Sequence, residues 1–237
     1  VTTCFFCLYM LMTSCTSSAQ KIIDDRFVLH TIDLKTQRLK FYLQNKNGIN
    51  FGNFKTLRDA LLKKNEELVF AMNGGMYLKN GSTQGLYIEN GITKKRLNTT
   101  KKAYGNFYLQ PNGIFYLTKD NRGVVCKTDD FRPNKNITYA TQSGPMLVIA
   151  IEIHPVFVKG SANLHIRNAV GILPNGTLLF AMSKDRITLY DFAEFFKSNG
   201  CQNALYLDGF VSKTYLPKKK WEQLDGDFGV IIGETKN

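Results

Sequence analysis

The sequence predicts an α+β fold: a single domain on a large mixed β-sheet with a few flanking helices. Short apolar runs bounded by Gly, Asn, Asp and Pro recur along the chain, which is the mark of strands and turns. Two stretches, beginning near Phe54 and Leu189, instead carry apolar residues at helical spacing. The length of 237 residues, 43% of them hydrophobic, fits one domain with ample core. No linker or shift in composition interrupts the chain after the first residues, so the division is 1–20 as a targeting segment and 21–237 as the domain.

The elements follow in order. Phe27 to Ile32 and Leu39 to Leu43 flank turn residues Asp33 to Arg38 and read as a hairpin. Phe54, Leu57 and Leu61 line one face of a first helix over Phe54 to Lys64. The apolar run from Leu68 then ends on Asn73-Gly74-Gly75. Leu86 to Glu89 turns at Asn90-Gly91, a pair that favours positive φ. Asn106 to Leu117 and Val170 to Phe180 repeat this strand, Asn-Gly turn and strand. In the second helix Thr188 caps with Asp191 three residues on, Leu189, Phe192, Ala193 and Phe196 form the apolar face, and Gly200 stops it. It delivers the strand Ala204 to Leu207, which ends on Asp208-Gly209. A last strand lies around Gly229 to Gly233.

The first twenty residues are of another kind. Phe5 to Met12 is apolar yet too short to span a bilayer as a helix. It runs into Thr13-Ser14-Cys15, the pattern of an export signal. Cys15 after Leu11-Met-Thr-Ser14 is similar to a bacterial lipobox, so the expectation is an exported protein, periplasmic or on the outer surface of a bacterium, anchored by a lipid on Cys15. The alternative is a cleaved signal with no lipid. Cys126 and Cys201 remain for the domain, either as a disulfide or as two isolated thiols. No Cys-x-x-Cys pair supports a structural zinc site.

The formal charge of +12 suggests a polyanion partner, but the lysines are scattered. Only Lys94-Lys-Arg96 and Lys218-Lys-Lys220 cluster, and no nucleic-acid motif is present. The reading is a solvated basic surface with no nucleic-acid partner, although such a charge favours anionic substrates or membranes.

Four apolar runs stop on small and polar residues, at Asn73-Gly74-Gly75, Gln142-Ser143-Gly144, Arg167-Asn168 and Asp208-Gly209. A strand ending this way sets a polar side chain at the rim of a sheet, where backbone can approach a ligand. Four in one domain, with one cation and one carboxylate, point to a shared polar pocket. Asp208 is the candidate carboxylate and Arg167 the candidate phosphate-binding cation, since a guanidinium suits bidentate contact with phosphate oxygens. Ser143 has no Gly-x-Ser-x-Gly elbow around it and is not read as a nucleophile. His30, His154 and His165 lack metal spacing. Glu89 and Asp185 are reserve carboxylates, while Tyr77, Tyr87, Tyr108 and Tyr206 are read mostly as core residues with one or two facing a sugar. No cofactor is expected, though Asp208, Asn73 and nearby carbonyls are hard oxygen ligands of the kind a divalent cation takes.

Taken in order, Ala71-Met-Asn-Gly-Gly-Met-Tyr77, Gly85-Leu-Tyr-Ile-Glu-Asn-Gly91, Gly105-Asn-Phe-Tyr-Leu-Gln-Pro-Asn-Gly113, Gln142-Ser-Gly-Pro-Met-Leu147, Ile166-Arg-Asn-Ala-Val-Gly-Ile172 and Leu207-Asp-Gly-Phe-Val-Ser-Lys-Thr-Tyr215 resemble the phosphodiester glycosidase family. The resemblance spans roughly residues 25 to 235 and is closer to the bacterial than to the mammalian branch. Phe210 and Val211 replace two glycines of the mammalian pattern, and Ala169 stands where bacterial members tend to have Gly. Membership implies hydrolysis of a sugar-1-phosphodiester between the anomeric carbon and the phosphate oxygen, on envelope or environmental glycans. It implies Asp208, Arg167 and Asn73 as catalytic residues. Gly74, Gly75, Gln84, Asn106, Ser143, Gly144, Asn168, Gly209 and Ser212 would then bind substrate. A non-catalytic envelope protein that binds glycans or polyanions in the same pocket is the alternative.

Overall fold

The computed structural model describes residues 22–208 and 211–236. The segment expected to serve targeting, with Cys15, and Gly209 with Phe210, lie outside the described residues. The α+β class and the single domain are as expected. The strands, however, form three sheets rather than one mixed sheet, and every pairing among the described residues is antiparallel.

The first sheet runs, in spatial order, Phe27–Ile32, Leu178–Ser183, Asn168–Ile172, Ala204–Asp208, Met146–Ile149 and Glu152–Ile153. The second runs Trp221–Glu222, Thr214–Leu216, Glu67–Asn73, Ile231–Lys236 and Arg38–Tyr42. The third runs Ile92–Lys95, Tyr87–Glu89, Ile137–Ser143, Gly113–Thr118 and Gly123–Lys127. All three contribute to one central core, in which Phe41, Phe70, Phe115, Phe180, Leu205 and Ile232 are buried together.

Two helices cover the outer faces. Helix α1 (Phe54–Leu62) lays Phe54, Leu57 and Leu61 on Leu68, Ala71 and Ile231 of the second sheet. Its cap is Asn53, whose side-chain oxygen accepts from the Thr56 amide at 2.8 Å. Helix α2 (Leu189–Ser198) packs Phe192, Ala193 and Phe196 on Ala169, Leu179 and Ala181 of the first sheet. Each buried Phe contributes on the order of 2–3 kcal/mol by leaving water. Thr188 caps this helix, accepting from the Asp191 amide at 3.0 Å, and Gly200 follows at φ +79°. Leu178 to Met182 thus faces the central core on one side and α2 on the other. That explains its unbroken apolar run, a pattern also typical of parallel strands.

Two expected hairpins are corrected. Phe27–Ile32 pairs with Leu178–Ser183, whereas Arg38–Tyr42 pairs with Ile231–Lys236, so the turn at Asp33 carries the chain from one sheet to another. Asn106–Tyr108 is a short 3-10 turn, and the strand begins only at Gly113. The turns at Asn90-Gly91 and Asn175-Gly176 do close hairpins; Asn90 and Gly91 have φ of 50° and 76°. Cys126 and Cys201 are free thiols, and burial pushes Cys201 up to about 12.

One charged contact ties the first and second sheets. Glu234, buried in Ile231–Lys236, accepts from Gln37 at 2.8 Å and meets the His30 ring at 2.6 Å. Burial pushes this carboxyl up, but His30 and Gln37 outweigh it, and the folded-state pKa falls below the ordinary 4.5. A depressed carboxylate contributes stability above its unfolded pKa and loses it as pH drops through the folded value. Glu234→Gln should therefore flatten the acid limb of thermal stability below 4.5, as read by melting across pH. An unchanged acid limb would show that other carboxylates govern it.

Candidate active site

The ends of the three sheets meet at one polar cluster. Asn73 closes Glu67–Asn73 of the second sheet, Ser143 closes Ile137–Ser143 of the third, and Asn168 opens and Asp208 closes adjacent strands of the first. All four are buried. The Asn73 amide donates to Asp208 Oδ2 at 2.7 Å and also to the Val211 carbonyl. Its oxygen accepts from Asn168 Nδ2 at 2.8 Å and from the Lys213 amide at 2.9 Å. Asn168 in turn donates to the Asn73 carbonyl at 2.8 Å and accepts from the Asp208 amide at 3.1 Å. The Asp208 carboxylate is therefore held by Asn73, while Asn168 fixes both Asn73 and the Asp208 backbone amide.

A β-bulge aims it. Asn168 stands opposite Asp208 while Ala169 stands opposite Tyr206, so Leu207 is the extra residue. Ser143 donates its hydroxyl to the Leu207 carbonyl at 2.7 Å, satisfying the group that the bulge displaces. Ser143 thus contributes here as a brace, and Ser212 similarly donates to the Asp208 carbonyl at 3.3 Å.

Arg167 points to the α2 side of the first sheet. It is fully buried, and its guanidinium donates to the Ile187 carbonyl at 2.8 Å and the Tyr206 hydroxyl at 2.9 Å. It also donates to the carbonyl and side-chain oxygen of Asn163 at 2.9 and 2.8 Å. Four of its five N–H groups are thereby given to protein acceptors. Tyr206 links it to the cluster: burial pushes this phenol up to about 12, with the Asp208 charge adding to the shift and Arg167 opposing it. His165 exchanges backbone hydrogen bonds with Ile187 and so holds the carbonyl that Arg167 uses.

The glycines act by close approach. A Cβ on Gly74 would fall 2.3 Å from the Ile232 side chain, and one on Gly75 (φ +154°) 2.3 Å from Thr141 Oγ1. A Cβ on Gly144 would fall 2.6 Å from Asn112. Gln84 and Asn106 flank buried Phe107, which packs over Gly85, and neither is hydrogen-bonded to the cluster. Gln142 braces the third sheet, accepting from the Leu86 and Asn98 amides at 3.0 Å. Glu89 lies beside Tyr87 in that sheet, and Asp185 is exposed beyond Ser183. Among the described residues no group of three or more His, Cys, Asp or Glu is placed to hold a metal ion.

Tyr77 is among the tyrosines considered for a sugar, whereas the Lys213 amide and Asn163 are not singled out by the sequence. Tyr77 is half-buried, and its hydroxyl is pushed up to about 12 by burial and by the charges of Asp208 and Asp227. The Lys213 amide and the Asn163 side chain enter only because loops fold back onto Asn73 and Arg167. Asn163 could have been suspected only from its position four residues before Arg167.

The profile of the phosphodiester glycosidase family matches residues 66–228, and the chain belongs to that family. It is 38% identical over 188 residues to the uncharacterized protein YigE of Escherichia coli (strain K12), covering 79% of this chain and 73% of YigE. Among solved structures, the zebrafish N-acetylglucosamine-1-phosphodiester alpha-N-acetylglucosaminidase catalytic domain, auto-inhibited by its pro-peptide, superposes with a TM-score of 0.57 at 15% identity. That match covers 90% of this chain and 85% of the zebrafish one. A hypothetical protein from Synechocystis gives a TM-score of 0.51 at 14% identity, covering 89% of this chain and 59% of its own. At such identities the structural likeness is one of fold.

Proposed function

We propose that the protein is a hydrolase that cleaves a glycosyl-1-phosphodiester between the anomeric carbon and the phosphate oxygen. The observation that carries this reading is the Asp208 carboxylate, held by Asn73, which Asn168 fixes in turn, where three sheets end. Glycosidases ordinarily use two carboxyl groups, one of them an acid for a poor leaving group. A phosphate monoester, whose second ionisation lies near ~6, departs with little acid assistance. One essential carboxylate then suffices, acting on the attacking water or on the anomeric centre. Arg167 supplies the positive field, relayed through the Tyr206 hydroxyl, and the Asp208 charge reaches the half-buried Tyr77 hydroxyl. The zebrafish domain, named for a sugar-1-phosphodiester activity, shares this fold.

The test is a panel of sugar-1-phosphodiesters incubated with the purified protein. Release of free sugar together with phosphomonoester is expected for at least one member. Binding without release across the panel would instead favour a glycan-binding protein with an idle site.

A further inference from the structure

A second region has the composition of a binding site. A groove of about 530 Å³ opens between the edge strand Arg38–Tyr42 of the second sheet and the strands Gly113–Thr118 and Ile137–Ser143 of the third. Lys35, Arg38, Lys40 and Lys119 line it, and no carboxylate does. The surrounding acids each hold partners, and Glu66 takes up the charge of one groove cation, Lys40. Glu66 holds Lys40 at 2.9 Å, Glu234 holds His30 and Gln37, and Asp33 accepts from the Lys35 amide at 2.9 Å. Asp120 takes hydrogen bonds from Thr118, Asn136 and Arg122, which hold its carboxyl well below the usual range. Lys35 and Lys119 have no ion-pair partner among the described residues.

Thr36, Gln37, Thr118, Asn121 and Thr138 add uncharged hydrogen-bonding groups between the cations. Tyr139 contributes an aromatic wall, fixed by its hydroxyl to Asn90 at 2.5 Å, over a floor that includes Leu39 and Leu117. Cations set among hydroxyls and amides, with one aromatic face, match a chain of sugars carrying phosphate groups. Single-stranded nucleic acid would call for a series of stacking rings.

The groove is also distinct from the Asp208 cluster. Asn73 stands opposite Ile231, and Arg38 stands opposite Thr235 of the same strand. Four residue steps along that strand separate them, about 13 Å at the usual rise per residue. A polymer can reach both places, whereas a single sugar phosphate cannot.

We infer that this groove binds a segment of a linear, phosphate-bearing glycan, away from the bond that is cleaved. Its role in turnover rests on the glycosidase reading above, but its binding of the polymer does not. Two attachment points raise the local concentration of scissile bonds without any new contact at Asp208.

The experiment compares the wild-type chain with Lys35→Gln/Lys119→Gln, a change of two exposed side chains. The probes are an oligomer of sugar-1-phosphate repeats, single-stranded DNA of matched charge, and a small chromogenic sugar-1-phosphodiester. Loss of about tenfold in oligomer affinity at low salt is expected, with a shallower salt dependence, because two phosphate contacts are removed. Affinity for the oligomer should exceed that for DNA in the wild type. The small substrate should be turned over equally by both proteins. Unchanged oligomer affinity in the double variant would overturn the inference, as would tighter binding of DNA. If no substrate is cleaved at all, the glycosidase reading fails, while the oligomer titration still decides the groove.

Discussion

Asp208→Asn is expected to lower turnover of a sugar-1-phosphodiester by a factor of about 10³ while leaving the protein folded. The reason lies in the hydrogen bonds. The amide oxygen of the substituted side chain can still accept from Asn73, and the backbone N–H at 208 still donates to Asn168. The strand end therefore keeps its geometry and loses only the charge and the basicity of a carboxylate. Binding of substrate should be unchanged or slightly tighter, since a negative charge near the phosphate is removed. Steady-state kinetics with a melting curve for each variant would measure this. Full activity in Asp208→Asn would show that another group, of which Asp227 beside Tyr77 is the first to test, carries the reaction.

Arg167→Ala is expected to have the largest effect on the protein as a whole. Removing the side chain strips donors from the buried Tyr206 hydroxyl and the half-buried Ile187 carbonyl, whereas the oxygens of exposed Asn163 can turn to water. Each stranded buried group costs roughly 1–3 kcal/mol, so a loss of several kcal/mol in unfolding free energy follows. The guanidinium also lies over the Tyr206 ring at 5.3 Å, and that attraction disappears as well. Arg167→Lys should restore part of the stability, because an ammonium reaches one or two of these acceptors but not the whole planar set.

Tyr206→Phe separates support from electrostatics. It removes the hydroxyl between Arg167 and the Asp208 end of the strand yet keeps the ring in the core. A fall in kcat larger than the stability loss of about 1–3 kcal/mol from the unpaired Arg167 N–H can explain is expected if the Arg167 field reaches the substrate through that hydroxyl. Equal losses of stability and activity in Arg167→Lys, with an unaffected Tyr206→Phe, would reduce Arg167 to a packing role.

The sequence by itself determined the local elements and the chemistry at their ends. Helical spacing at Phe54, Leu57 and Leu61 and the Thr188 cap with Gly200 specify α1 and α2, because capping and periodicity act within one or two turns. Asn90-Gly91 specifies a hairpin through positive φ at both residues, and Asn175-Gly176 through positive φ at its glycine. Likewise, a strand stopping on Asn73, Ser143, Asn168 or Asp208 is visible as soon as the apolar run ends.

Pairing partners were not legible. Phe27–Ile32 and Arg38–Tyr42 are neighbours in the chain, yet each finds its partner well over a hundred residues away, in a different sheet. An apolar run is equally at home in a parallel or an antiparallel sheet once both its faces are covered. The same limit applies to the site. That Asn73 and Asn168 would clamp Asp208 depends on three sheets ending at one point, and the aim of the carboxylate depends on the bulge at Leu207. Arg167 and Asn168 are adjacent in sequence, but successive residues of an extended chain face opposite sides. One therefore turns toward α2 and Tyr206 while the other turns to Asn73 and the Asp208 backbone amide, a division that only the packed sheets decide.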